Sequence, residues 1–305
     1  MLASKNSPYH LPELTPELLN EVEGLQLSAR SIASGALAGM HRSLRRGASI
    51  EFSEHKLYSP GDDIRHIDWR AFAKTDRFHV KQFEDETNLR IELLLDHSGS
   101  MGFKSESSLS KFHYARALGA AITYLALRQG DSTGLTTFES DVTGELPPRA
   151  HSSHLFEILT RLAQLTPQGE TGISPCLQRF AQTRRKKTIA IILTDLLDPS
   201  PKLETAFRQL VARRHEVAVL HILDPAEIDF PYESPARFAS MEDTRKLFIH
   251  PRVLQSAYQK EMRAFLDSTE TAMRGNRIDY HLVRTDTPPQ KALASFLRTR
   301  SPKVV

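Results

Sequence analysis

Residues 90–101 read Arg90-Ile91-Glu92-Leu93-Leu94-Leu95-Asp96-His97-Ser98-Gly99-Ser100-Met101. A short apolar run, Ile91–Leu95, ends in an aspartate, and two hydroxyls follow at two-residue intervals. A run of that length bounded by polar residues predicts a buried strand. Downstream the texture alternates. Lys111–Arg128 carries the pattern of an amphipathic helix, and Ser132–Phe138 that of a Thr-rich strand, with Val142–Leu146 pairing to it across a turn at Glu139–Asp141. Helices are predicted at His154–Gln164, Ser174–Thr183, Lys202–Arg213, Val253–Arg274 and Gln290–Arg300. Strands are predicted at Thr188–Leu193, Glu216–Leu223 and Ile278–Val283, with a hairpin over Phe238–Phe248. Strands alternating with helices imply an α/β fold: a mostly parallel, Rossmann-like sheet flanked by helices on both faces.

Upstream of residue 90 the sequence differs. Residues 8–46 read as helix, with Leu18, Leu19, Val22 and Leu25 at helical spacing. Short extended pieces follow at Ile50–Phe52 and Lys56–Tyr58, then a Pro60-Gly61 turn and a strand over Phe78–Phe83. The expected organisation is an N-terminal helical and extended segment, 1–89, attached to one large α/β domain, 90–305.

Composition narrows the function classes. The chain has 305 residues and a net charge of +3, with basic and acidic residues nearly balanced on both sides of residue 90. Such mild basicity is weak support for phosphate binding. One cysteine, Cys176, excludes a disulfide framework and a multi-cysteine metal site, and suits a reducing compartment. The longest apolar runs, such as Ile189–Leu193, are far shorter than the roughly 20 residues that span a bilayer. The first ten residues carry no apolar leader. The expectation is a cytoplasmic protein without a membrane span.

In a sheet of this type, functional groups collect on loops beyond the carboxyl ends of the strands. Two predicted strands end in acids there: Asp96, followed by Ser98 and Ser100, and Asp195 after Thr194. Between them, Gly169-Glu170-Thr171-Gly172 sets a threonine in a glycine-flanked loop before a helix. Two carboxylates and three hydroxyls make a hard oxygen set, suited to Mg²⁺, which takes about six oxygens and keeps several waters. Softer metals would call for clustered His or Cys.

The Asp96-x-Ser98-x-Ser100 motif, with Thr171 and Asp195 downstream, resembles the metal-ion-dependent adhesion site (MIDAS) of von Willebrand factor A (vWA) domains. The upstream stretch Tyr58-Ser59-Pro60-Gly61-Asp62-Asp63-Ile64-Arg65-His66-Ile67-Asp68-Trp69-Arg70 resembles the signature of the DUF58 family, in which it precedes a vWA domain. The resemblance implies a vWA-like fold and a metal held by Asp96, Ser98, Ser100, Thr171 and Asp195. The metal would be Mg²⁺, with Mn²⁺ or Ca²⁺ able to substitute. It implies a carboxylate-bearing protein partner and joint action with a MoxR-type AAA+ ATPase. The chain has no G-x-x-x-x-G-K-[ST] loop of its own. His97, at a free position of the motif, is given no ligand role.

Three functional readings follow. The first is a non-catalytic, metal-dependent adaptor. In it Asp62, Asp63, Arg65, Asp68, Trp69 and Arg70 offer a partner surface; the same cluster could equally be an internal salt-bridge network. The second is a metal-assisted hydrolase or phosphatase on the same oxygens. Ser98 stands where a haloacid-dehalogenase-like site needs a second aspartate, and no G-x-S-x-G elbow surrounds either serine. The third is a weak nucleic-acid binder using the basic clusters at Arg42–Arg46 and Arg184–Lys187. On the sequence alone, the Arg184–Lys187 run suits a helix C-terminus, where cations are favoured.

Overall fold

The computed structural model describes residues 16–44, 56–57, 79–80, 89–106, 109–198, 200 and 202–300. The chain divides into two compact units, one of residues 40–88 and one of residues 1–39 with 89–305. In the smaller unit, β1 (Lys56–Leu57) pairs antiparallel with β2 (His79–Val80). The Tyr58–Arg70 signature, and with it Asp62, Asp63, Arg65, Asp68, Trp69 and Arg70, lies outside the described residues.

The larger unit is the α/β architecture expected from the sequence. Its strands are β3 (Arg90–Asp96), β4 (Ser132–Phe138), β5 (Val142–Arg149), β6 (Ile189–Thr194), β7 (Glu216–Leu223) and β10 (Asp279–Arg284). They form one sheet in the order β10-β7-β6-β3-β4-β5. All neighbours are parallel except β5, which pairs antiparallel with β4 at the edge. A separate hairpin joins β8 (Ala236–Ala239) to β9 (Lys246–Ile249). The helices are α1 (Pro16–Leu44), α2 (Lys111–Arg128), α3 (Ser153–Gln164), α4 (Ile173–Thr183), α5 (Leu203–Ala212), α6 (Pro225–Asp229), α7 (Pro251–Gly275) and α8 (Pro289–Arg300).

Alternation along β3 distributes its apolar side chains to both faces of the sheet. Leu94 joins a cluster with Phe138, Ile173, Leu177, Phe180, Ile192, Phe207 and Leu210, so α4 and α5 cover that face. Leu93 points the other way, where Gly119 of α2 lets the helix come close: a Cβ there would lie 3.6 Å from Leu93 Cδ1. Leu25, Ala29, Ile32, Ala33 and Ala36 of α1 are also buried. Cys176 is buried in the α4 cluster as a small apolar residue, and burial pushes its thiol pKa up.

Glu92 is buried in the middle of β3, and the Arg184–Lys187 run explains how. Arg184 caps α4, but its Nε donates to both Glu92 carboxylate oxygens, at 3.0 and 2.9 Å. Its Nη2 also reaches Glu145 on the edge strand, at 3.0 Å. Thr136 Oγ1 donates a further bond to Glu92, 2.9 Å. Arg184 therefore neutralises a carboxylate inside the sheet, a stronger task than complementing a helix end.

Candidate functional site

The site forms where β3 and β6 end side by side. Asp96 is the last residue of β3, and Asp195 follows the last residue of β6. The loop before α4 is stitched to the residues just beyond β3 and β4 by backbone bonds. Gly99 N donates to Gly169 O at 2.9 Å, Gln168 N to His97 O at 2.9 Å, and Gly172 N to Glu139 O at 2.7 Å. Two glycines make this approach feasible: Gly169 has φ +72°, and a Cβ on Gly172 would lie 2.2 Å from Ser140 O.

These loops bring three of the sequence-predicted hydroxyls into a chain, with Asp96 joined to it through the Ser98 amide. Ser98 Oγ lies 3.2 Å from Ser100 Oγ, which lies 3.5 Å from Thr171 Oγ1. Asp96 Oδ1 accepts from Ser98 N at 2.9 Å, and Asp96 Oδ2 from Thr194 Oγ1 at 2.6 Å. Asp195, the fifth, is near enough for its charge to act on Asp96. Burial first, and then that charge, raise the Asp96 carboxyl to about 7, against the lowering effect of its hydrogen bonds. His97 turns away: its Nε2 lies 2.7 Å from Thr143 Oγ1 and its Nδ1 3.3 Å from Thr166 O.

The structure adds residues that the sequence reading did not single out. Lys111, in the first turn of α2, is fully buried and reaches two carboxylates. Its Nζ donates to Asp195 Oδ2 at 2.7 Å and to Glu227 Oε1 at 2.6 Å. Burial opposes the ammonium charge, but Asp195 and Glu227 outweigh it and its pKa is raised. Glu227 is itself fixed by a capping box at α6, where Asp224 accepts from Ala226 N and Glu227 accepts from Asp224 N. His221 Nε2 donates to the Asp195 carbonyl, 2.8 Å, and burial lowers its pKa to about 4, so the ring is neutral. Last comes Glu242, on the loop between β8 and β9. Its Oε1 accepts from Thr171 Oγ1 at 2.6 Å. A cavity of about 250 Å³ opens beside these groups, lined by Ser100, Phe103, Leu197, Glu227, Met241 and Glu242 among others.

The donors here, carboxylates and hydroxyls, are hard oxygens of the kind a hard cation takes. Among the described residues, no three His, Cys, Asp or Glu side chains are arranged to hold a metal, so any cation here depends on the hydroxyls. Asp195 and Glu227 share one ammonium, Lys111, while Asp96 has no cation of its own and feels the Asp195 charge; with all four ionised two negative charges remain. One divalent ion would cancel them.

A family model described as "Protein of unknown function DUF58" matches residues 54–266, more than half of the chain. The chain belongs to the DUF58 family. Its relatives include uncharacterized protein Rv1480 of Mycobacterium tuberculosis and uncharacterized protein Mb1516 of Mycobacterium bovis. Each is 27% identical over 291 residues, covering 93% of this chain and 90% of the relative. Among solved structures, this DUF58 protein is similar to conserved hypothetical protein BatB from Bacteroides thetaiotaomicron, at TM-score 0.45 and 18% identity. That match covers 69% of this chain and 98% of BatB. It is also similar to the SpRpn10 VWA domain, at TM-score 0.35 and 10% identity, covering 71% of this chain and 96% of that one. Among the described residues, no helix is long and apolar enough to cross a membrane.

Proposed function

We propose that this DUF58 protein is a non-catalytic, metal-dependent interaction module. Mg²⁺ held by Asp96, Ser98, Ser100, Thr171 and Asp195 accepts a carboxylate from a protein partner. The observation that carries this reading is the unbroken run of hydroxyl oxygens from Ser98 to Thr171, set beside two buried carboxylates at adjacent strand ends. Mg²⁺ takes oxygen ligands and holds some through water, which suits side chains that sit close but leave an open cavity next to Ser100. When bound, the ion supplies a fixed positive charge for an incoming carboxylate. The protein's own groups do the rest. Thr194 and the Ser98 amide orient Asp96, while Lys111 fixes Asp195.

A binding role fits this geometry better than hydrolysis. Both Asp96 oxygens already accept hydrogen bonds, and its side chain is fully buried, which disfavours it as a nucleophile. The nearest histidine in sequence, His97, is committed to Thr143 and Thr166. The family resemblance carries the partner: a MoxR-type AAA+ ATPase that supplies the nucleotide chemistry, in the cytoplasm. The test is calorimetric titration of the full chain with Mg²⁺, alongside Asp96→Ala and Ser98→Ala. Affinity capture from the host with and without a chelator tests the partner. Mg²⁺ binding is expected in the parent chain and lost in Asp96→Ala. Unchanged affinity in both variants would refute the proposal.

A further inference from the structure

The β8–β9 hairpin brings a carboxylate of this same chain to the oxygen site. Its tip, Ser240–Arg245, is shaped by local bonds. Ser240 Oγ accepts from Glu242 N at 3.3 Å and from Asp243 N at 3.2 Å, and Asp243 Oδ1 accepts from Arg245 N at 2.9 Å. The turn aims Glu242 inward. Glu242 Oε1 takes the Thr171 hydroxyl at 2.6 Å, and Oε2 faces the Thr171 amide at 3.4 Å. The preceding residue seals the approach: Met241 O lies so close to Gly99 that a Cβ there would sit 2.2 Å from it.

Glu242 lines the same cavity as Glu227, whose carboxylate already shares the Lys111 ammonium with Asp195, and among the described residues Glu242 forms no ion pair of its own. A lone carboxylate among acids is stabilised by a cation between them. The hairpin that carries it is lightly held. Its strands are four residues each, and Leu247 and Phe248 on β9 are 64% and 63% exposed. Isolated two-stranded hairpins are marginal in water. The main apolar anchor is Phe238, packed against the rings of Phe230 and Tyr232. The tip can therefore leave while its base stays.

Resting on the metal-site reading above, we infer that Glu242 is an internal carboxylate ligand and that the 236–249 hairpin is a displaceable cap. Glu242 fills the position a partner's carboxylate takes, and a partner must displace it to bind. A tethered competitor of this kind acts at an effective concentration in the millimolar range, so weak carboxylates are excluded and only a partner with further contacts gains entry. The exposed Leu247 and Phe248, a few residues from the tip, lie where such contacts would be made.

The test uses the full chain, with Glu242→Ala, Glu242→Gln and Asp96→Ala. Magnesium titration is expected to show about tenfold weaker affinity in both Glu242 variants, as loss of a charged oxygen ligand requires. Trypsin cleavage after Arg245 and Lys246 is expected to slow several-fold on adding Mg²⁺ in the parent chain and to stay unchanged in Glu242→Ala. Millimolar glutarate, a bare dicarboxylate probe, is expected to bind Mg²⁺-loaded Glu242→Ala more tightly than the parent. If Mg²⁺ binding is abolished by Asp96→Ala but Glu242→Ala alters neither affinity nor cleavage, the internal cap is overturned and the metal site stands. If the parent chain binds no Mg²⁺, the metal site falls and the cap with it.

Discussion

Replacing Lys111 by Met tests the electrostatics of the site without touching a proposed metal ligand. Met keeps most of the aliphatic stem and removes only the ammonium, so the core packing around α2 is nearly preserved. What remains is Asp195, fully buried, and Glu227, mostly buried, each having lost a bond of 2.7 or 2.6 Å to a positive charge. Removing one partner of a buried pair costs about 3–5 kcal/mol, because the surviving charge is left uncompensated. That is a large fraction of the roughly 5–15 kcal/mol that holds a typical domain together. For a domain of this size it corresponds to a fall of roughly 6–20 °C in Tm. The assay is urea unfolding of the full chain in chelator at pH 7, followed by circular dichroism. Burial raises the Glu227 pKa and Lys111 holds it down, so without the ammonium Glu227 protonates more readily and the defect is expected to shrink at pH 5.5. If the metal reading holds, saturating Mg²⁺ at 100 times its Kd restores about 2.7 kcal/mol. A loss below about 1 kcal/mol at both pH values would refute the claim that the Lys111 ammonium offsets these acids.

Two further outcomes follow from buried charges. Asp96 has a folded-state pKa of about 7 against 3.8 for an ordinary aspartate, so the native chain holds a proton there that the unfolded chain has released. Its contribution to stability is therefore fully present below about pH 3.8 and is lost as pH rises toward 7. In chelator, unfolding free energy is expected to fall across that window with a slope from Asp96 of at most about 1.4 kcal/mol per pH unit. The Asp96→Asn variant removes this slope, and an identical pH profile in the variant would sink the assignment. At the other end of β3, Arg184→Ala strands Glu92 inside the sheet and is expected to cost about 3–5 kcal/mol in denaturant titration. Adding Glu92→Gln to that variant should recover most of the loss; no recovery would mean that Arg184 acts by packing on Phe180, over whose ring its guanidinium lies at 5.3 Å.

What could be read from the sequence was local. The β3 run and its Asp96, Ser98 and Ser100 sit within a dozen consecutive residues, and strand periodicity places them at a sheet end without knowledge of any neighbour. The same holds for Thr194-Asp195 and for the β8–β9 hairpin. The partners that complete the site were less accessible because each meets it across the chain: Lys111 bonds 84 residues away, and Glu242 bonds 71 residues away. Glu242 stood in an ordinary polar turn and gave no signal. Arg184 does stand at the helix end the sequence suggests, but its acids Glu92 and Glu145 lie 92 and 39 residues away, and a cation at a helix end needs no distant acid to account for it. Lys111 did leave a trace. Ser110 caps α2, which puts Lys111 in the first turn, where the positive end of the helix dipole disfavours a cation. A lysine placed there, on a helix that buries Phe112 and Tyr114 beside it, is a conflict between local electrostatics and position. Such conflicts persist when something outside the helix resolves them. Here two carboxylates do, and both line the ends of the strands where the chemistry of this protein is concentrated.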